Sequence, residues 1–269
     1  AMRRKQDAVE LKDEQEQETA VSVSLDGLSR AFPSTDDRTI WYCLDRPKPR
    51  LRGVLHKWCA LSSPVWCCYQ LSLCNVHNVL AVGLSLFAMV FLFSASASYH
   101  RGRWTLAQEK RLMKADYIGI FLLVAFSIAP CYVQLLPPAS STPVIFLLAA
   151  TVLAGTWLTL AELDLGRHAM VTVYVAQAVL QLVPLSTHFL SQRSVFESML
   201  PAEVWMVGGL MVCYLVGSQV YARSTPELWP DTFGYHELWH LLIAMSVALT
   251  YACNCSVLTK CSTSRPCSF

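Results

Sequence analysis

Two histidines four residues apart, His236 and His240 in GYHELWH, carry the densest chemistry in this sequence. On a helix that spacing puts both imidazoles on one face, about one turn apart. Such a pair can hold one zinc ion, and a third histidine from another helix leaves a fourth position for water, the layout of a catalytic zinc site. The metal lowers the pKa of that water from about 15.7 to about 7, making hydroxide available near neutrality. A carboxylate beside the water can orient it or take its proton, and a hydroxyl can hydrogen-bond to it or to a ligand.

Side chains for those remaining parts occur at two other places. SASASYH carries Ser96 and His100, again at i and i+4, and KADYIGI carries Asp116. His100 is the candidate third ligand, with Asp116 and Ser96 as candidate catalytic carboxylate and hydroxyl. Each part alone has a plainer account: two interfacial imidazoles for the histidine pair, a bond back to the carbonyl one turn earlier for Ser96, and an N-cap for Asp116 at the start of its helix. The string from His236 to His240 also spells the HExxH of metalloproteases, with Glu237 as base. Intramembrane proteases with that motif take an acidic third ligand from further along the chain. After Glu237 no Asp or Glu occurs before Phe269, so a third ligand has to come from upstream, where His100 lies.

The elements that must position these residues are membrane helices. Of 269 residues 54% are hydrophobic and 15% charged, against roughly 45–50% and 25% in a soluble domain, and the mean hydropathy is +0.39. That balance argues against a water-soluble globule. The net charge of +2 makes no case for nucleic-acid binding. The eleven cysteines are odd in number, and Cys67, Cys68 and Cys213 lie in apolar stretches, so they read as packing residues.

Seven apolar segments, at approximately 54–74, 77–99, 116–136, 143–162, 168–189, 202–222 and 235–258, are each near the ~20 residues that a helix needs to cross ~30 Å of hydrocarbon. The first is the weakest, with His56 and Lys57 near its start and Ser62, Ser63 and Pro64 in its middle. Ahead of it, residues 1–40 read as a disordered polar tail without a signal-peptide run. Residues 41–53, WYCLDRPKPRLRG, read as a basic, aromatic juxtamembrane segment suited to anionic lipid, with a partner-binding tail as an equally plain reading, and 259–269 as a short outer tail. The expected fold class is an all-α, seven-helix transmembrane bundle at 54–258.

Lys and Arg orient it. Eighteen fall before segment 1 or at its start and in the loops after segments 2, 4 and 6, whereas only Arg193, Lys260 and Arg265 fall on the other side. The N-terminus is therefore expected in the cytoplasm and the C-terminus outside or in a lumen. This topology, derived without the candidate site, puts Ser96, His100, Asp116, His236 and His240 together at the cytoplasmic boundary. Ionisable residues in membrane segments are costly and mark function by default.

With these residues in hand, the chain resembles the haemolysin III branch of the progestin and adiponectin receptor (PAQR) superfamily, itself similar to alkaline ceramidases. The resemblance spans about 45–258 and rests on PRLRGVLH at 49–56, the S-x-x-x-H of Ser96 and His100, the basic loop leading to Asp116, and FGYHELWHLL at 233–242. It implies a seven-helix bundle with zinc on His100, His236 and His240, and with Asp116 and Ser96 near the metal-bound water. The receptor members carry an acidic residue before a Gly-Asn pair ahead of helix 1; here Arg52-Gly53 leads to Val54 and His56, which counts against a hormone-receptor role. His56 is read as an interfacial anchor of helix 1, with a fourth polar position at the site as the alternative.

The leading functional expectation is a zinc-dependent membrane hydrolase of lipid amides or esters. A receptor with structural zinc is the second, and a pore-forming cytolysin the third, though no helix carries a charged stripe to line an aqueous path. Membrane lipids are the expected partners. His77, His168 and His188 read as interfacial, Gln177 and Gln181 as interhelical hydrogen-bonding residues, Asp231 as a turn residue, and the Asn254 sequon as too close to hydrocarbon for glycosylation. Cys43, beside the basic stretch, reads as a buried thiol, with acylation as the alternative.

Overall fold

The computed structural model describes residues 41–43, 46–47, 49–136, 138–161, 166–189, 199–229 and 231–263. The 1–40 tail, Glu162, Arg193, Pro230 and residues 264–269 lie outside these, as do the side chains of Cys43, Gln181 and His188. Two compact units divide at Arg50. In the first, β1 (Trp41–Cys43) pairs antiparallel with β2 (Arg46–Pro47).

The second unit is helical: α1 (Val54–Ser72), α2 (Val79–Arg101), α3 (Leu106–Phe126), α4 (Ala129–Leu135), α5 (Pro138–Leu160), α6 (Gly166–Phe189), α7 (Pro201–Arg223) and α8 (Tyr235–Thr263). Each long helix packs on the next and α1 packs on α8, closing a ring, while α4 continues α3 and also touches α2 and α8. Among the described residues, five stretches, Val79–Arg101, Ala107–Leu135, Ser141–Leu160, Pro201–Arg223 and Tyr235–Lys260, are long and apolar enough to cross a membrane. The protein is an integral multi-pass membrane protein. Helices α1 and α6 are not among the five; α1 is interrupted by Lys57, Ser62, Ser63 and Gln70.

The outward faces are as apolar as the interior. Val65, Leu80, Phe87, Phe146, Leu153 and Val212 are all exposed, the reverse of a soluble bundle's polar rim and the pattern of helices bathed in lipid. Trp58, Trp157 and Trp229 at one end and Trp205 at the other are exposed too, where interfacial indoles gather.

Two boundaries differ from those expected. The third span begins ten residues before Asp116, because Thr105 and Gln108 form a capping box: Gln108 N donates to Thr105 Oγ1 at 3.3 Å and Thr105 N to Gln108 Oε1 at 3.0 Å. A hydropathy window sees only the lipid-embedded part of such a helix. Asp116 is therefore nearly three turns inside α3 and cannot be its N-cap. At the other end, α8 runs to Thr263, drawing Lys260 out of the expected tail into the helix. There its Nζ reaches Glu203 Oε2 at 3.3 Å; Ser256 Oγ and Leu200 N also donate to this fully buried carboxylate.

The third span is also broken, between Phe126 and Ala129, with Pro130 in the first turn of α4. The Ser127 carbonyl accepts from Ser85 Oγ at 2.7 Å and Asn254 Nδ2 at 2.8 Å. Buried side chains thus satisfy the interrupted ladder where water cannot, and Asn254, fully buried, is held inside the bundle. Gln177 Nε2 bridges α6 to Phe121 O and Thr151 Oγ1, the interhelical role expected of it. His77 and His168 are exposed and Asp231 lies in a turn with φ 61°.

Candidate metal centre

The start of α8 is fixed before its histidines are used. Glu237 accepts from Gly234 N through Oε2 at 2.8 Å and from Arg52 Nε through Oε1, both side chains being buried. Leu51 N donates to Thr232 O at 3.3 Å. This ties the segment ahead of α1 to the first turn of α8. Both oxygens of Glu237 are occupied in this clasp, so the HExxH string does not present Glu237 as a base.

Between Arg52 and α1 the chain must pass directly against α2. Gly53 has φ +70°, and a Cβ there would lie 2.7 Å from His100 Cβ. Glycine is required twice over, for the left-handed backbone and for the close approach.

Three helices then converge. His100 at the end of α2 and His236 and His240 on the opening turns of α8 offer one ring nitrogen each, all within 4.8 Å of one another. His236 Nε2 and His100 Nε2 are 3.3 Å apart. His100 and His240 are buried and His236 partly so. This cluster could bind a metal ion. From α3, Asp116 Oδ2 lies 3.7 Å from His100 Nε2. Ser96 Oγ, buried one turn before His100 and near the Asp116 carboxyl, makes no hydrogen bond within the protein. All five residues singled out by spacing therefore meet at one end of the bundle.

His56 does not anchor α1 at an interface. It is 2% exposed, and its ring stacks on that of His240 with centroids 4.0 Å apart and planes at 6°. Phe93 closes its other side at 5.1 Å. The reason is the Gly53 turn, which brings the start of α1 inward against α2 and α8. Met89, Leu92, Phe93, Leu123, Ile243 and Val247 pack together as an apolar floor.

The family model described as haemolysin-III related matches residues 44–251, three quarters of the chain. The chain belongs to the haemolysin-III-related family. The match runs from just after β1 through most of α8 and so includes every residue of the centre. Other parts of this haemolysin-III-related site escaped sequence reasoning. Arg52 was legible only as one cation of the basic 41–53 segment and Glu237 only as the base of an HExxH string; nothing in the sequence paired them. Tyr221, whose ring lies 5.8 Å from that of His236, carries no sequence signal at all.

Proposed function

We propose that the protein is a zinc-dependent hydrolase of lipid amides or esters, similar in chemistry to alkaline ceramidases, crossing the membrane seven times with its N-terminus in the cytoplasm. The observation that carries the reading is the convergence of three imidazole nitrogens with a buried carboxylate and a hydroxyl at one end of a lipid-facing bundle. The distribution of Lys and Arg supports the orientation, since Lys110, Arg111, Lys114, Arg167 and Arg223 share that end.

Three imidazoles without a thiolate are a donor set suited to catalytic zinc, and His100, His236 and His240 would hold it. When bound, the ion supplies Lewis acidity that makes water nucleophilic near neutral pH. The remaining chemistry belongs to the chain. Asp116 accepts the proton released as the nucleophile attacks the carbonyl carbon and returns it to the departing amine or alkoxide. Ser96, whose hydroxyl makes no hydrogen bond within the protein, is available to orient the Asp116 carboxyl or the nucleophile. His56 fixes the plane of the His240 ring, and the Arg52–Glu237 clasp fixes the helix end that carries His236 and His240. The apolar floor keeps bulk water from the centre and strengthens these interactions.

Turnover in neutral nanodiscs containing a long-chain lipid amide or ester, read as released fatty acid by mass spectrometry, tests the reading. Wild type is expected to release product, and Asp116→Ala to retain metal and release none. No release by wild type, or equal release by His236→Ala with His240→Ala, overturns it; retained metal with ligand-dependent signalling and no turnover establishes the receptor alternative.

A further inference from the structure

Beside the histidine centre a cavity of about 400 Å³ opens between α3, α5, α6, α7 and α8. Its wall is sharply divided. Lys110 and Lys114 from α3 and Arg167 from α6 line it, and no acidic side chain does so among the described residues. Arg167 is fixed: its guanidinium lies over the rings of Tyr221 at 5.4 Å and Tyr235 at 5.7 Å and donates to Ser224 Oγ. Ile120, Leu158, Met170 and Val171 make an apolar wall. Tyr174 also lines the cavity, and its hydroxyl is buried without a hydrogen-bond partner in the protein. Buried polar groups are nearly always paired, so an orphan hydroxyl in a cavity wall points to a ligand oxygen.

We propose that this cavity binds a single-chain amphiphile with a phosphate head group. Three cations at one rim match a group with more than one negative charge and several acceptor oxygens, which Arg recognises by its fork and Lys as a point charge. A cavity at the small end of the ~300–1,000 Å³ range of ligand pockets has room for one chain beside the apolar wall. Tyr221 and Trp239 belong both to this wall and to the surroundings of the centre: Tyr221 faces His236, and the two rings pack together at 5.6 Å. The assignment deepens the hydrolase reading by naming a substrate class, yet the binding does not require turnover.

The test is binding of a long-chain alkyl phosphate to the full chain in neutral nanodiscs, with the alcohol of the same chain length and inorganic phosphate as the other probes. The alkyl phosphate is expected to bind at least about tenfold more tightly than the alcohol, which offers the cations no charged oxygen, and than inorganic phosphate, which buries no chain against the apolar wall. Lys110→Glu with Lys114→Glu is expected to abolish that preference, and Tyr174→Phe to weaken it. Equal affinity for the alcohol, equal affinity for inorganic phosphate, or an unchanged preference in the double variant overturns the proposal. Binding that survives His236→Ala with His240→Ala while turnover is absent leaves this site standing and the hydrolase reading fallen.

Discussion

Gly53→Ala tests how closely the backbone ahead of α1 governs the histidine centre. Two costs can be separated. An alanine at φ +70° pays for the left-handed backbone, roughly 1–2 kcal/mol. It also places a Cβ 2.7 Å from His100 Cβ, whereas carbons rest about 3.5–4.0 Å apart, so the two have to part by about 1 Å. That movement falls on a backbone-attached atom of a ligand residue, in a site where tolerances are about 0.5 Å. Gly166→Ala is the matched control: its φ is +65° and nothing lies within 4 Å of the new Cβ, so it pays the first cost alone. Gly83→Ala, helical with open space around it, pays neither. Thermal unfolding and metal content are measured for all three in the same detergent. Gly53→Ala is expected to lose more stability than Gly166→Ala and to bind metal at least about tenfold more weakly, as when a ligand's supporting residues are disturbed. Equal stability loss in Gly53→Ala and Gly166→Ala, with wild-type metal affinity in both, would refute the reasoning.

His56→Ala removes the ring stacked on His240 and is expected to weaken metal binding about 10–100-fold, while His56→Phe, which keeps the stack, stays near wild type in a metal-competition titration. Arg52→Ala leaves Glu237 buried without its cation, for about 3–5 kcal/mol of destabilisation. Adding Glu237→Gln is expected to recover part of that loss in thermal unfolding. Glu203→Ala strands Lys260 and Ser256 at the opposite end of the bundle, so it is expected to lower thermal stability while metal content stays at the wild-type value.

Charge sparsity is what made the site legible. In a chain this apolar, each ionisable residue inside a helix is costly to keep, so Asp116 and the paired spacings at 96/100 and 236/240 stood out, and the Lys and Arg pattern placed them at one end. What stayed hidden depends on approach between distant segments. His56 looked interfacial because nothing in the sequence reveals that Gly53 turns α1 inward. The cap alternative for Asp116 arose because a hydropathy window marks where α3 leaves the lipid, not where the helix begins. Glu237 spelled a catalytic base, yet its oxygens are committed to Arg52 Nε, 185 residues away, and to Gly234 N. The cavity's basic rim draws Lys110, Lys114 and Arg167 from two helices, and no periodicity in either one announces the pairing.

Elemental analysis of purified wild type beside the three single alanine variants tests most directly the proposal that His100, His236 and His240 jointly hold one zinc ion. One zinc per chain in wild type, lost in each of the three variants and kept in Asp116→Ala, is the expected result. Wild type without zinc, or a His100→Ala protein that keeps its full complement, would contradict it.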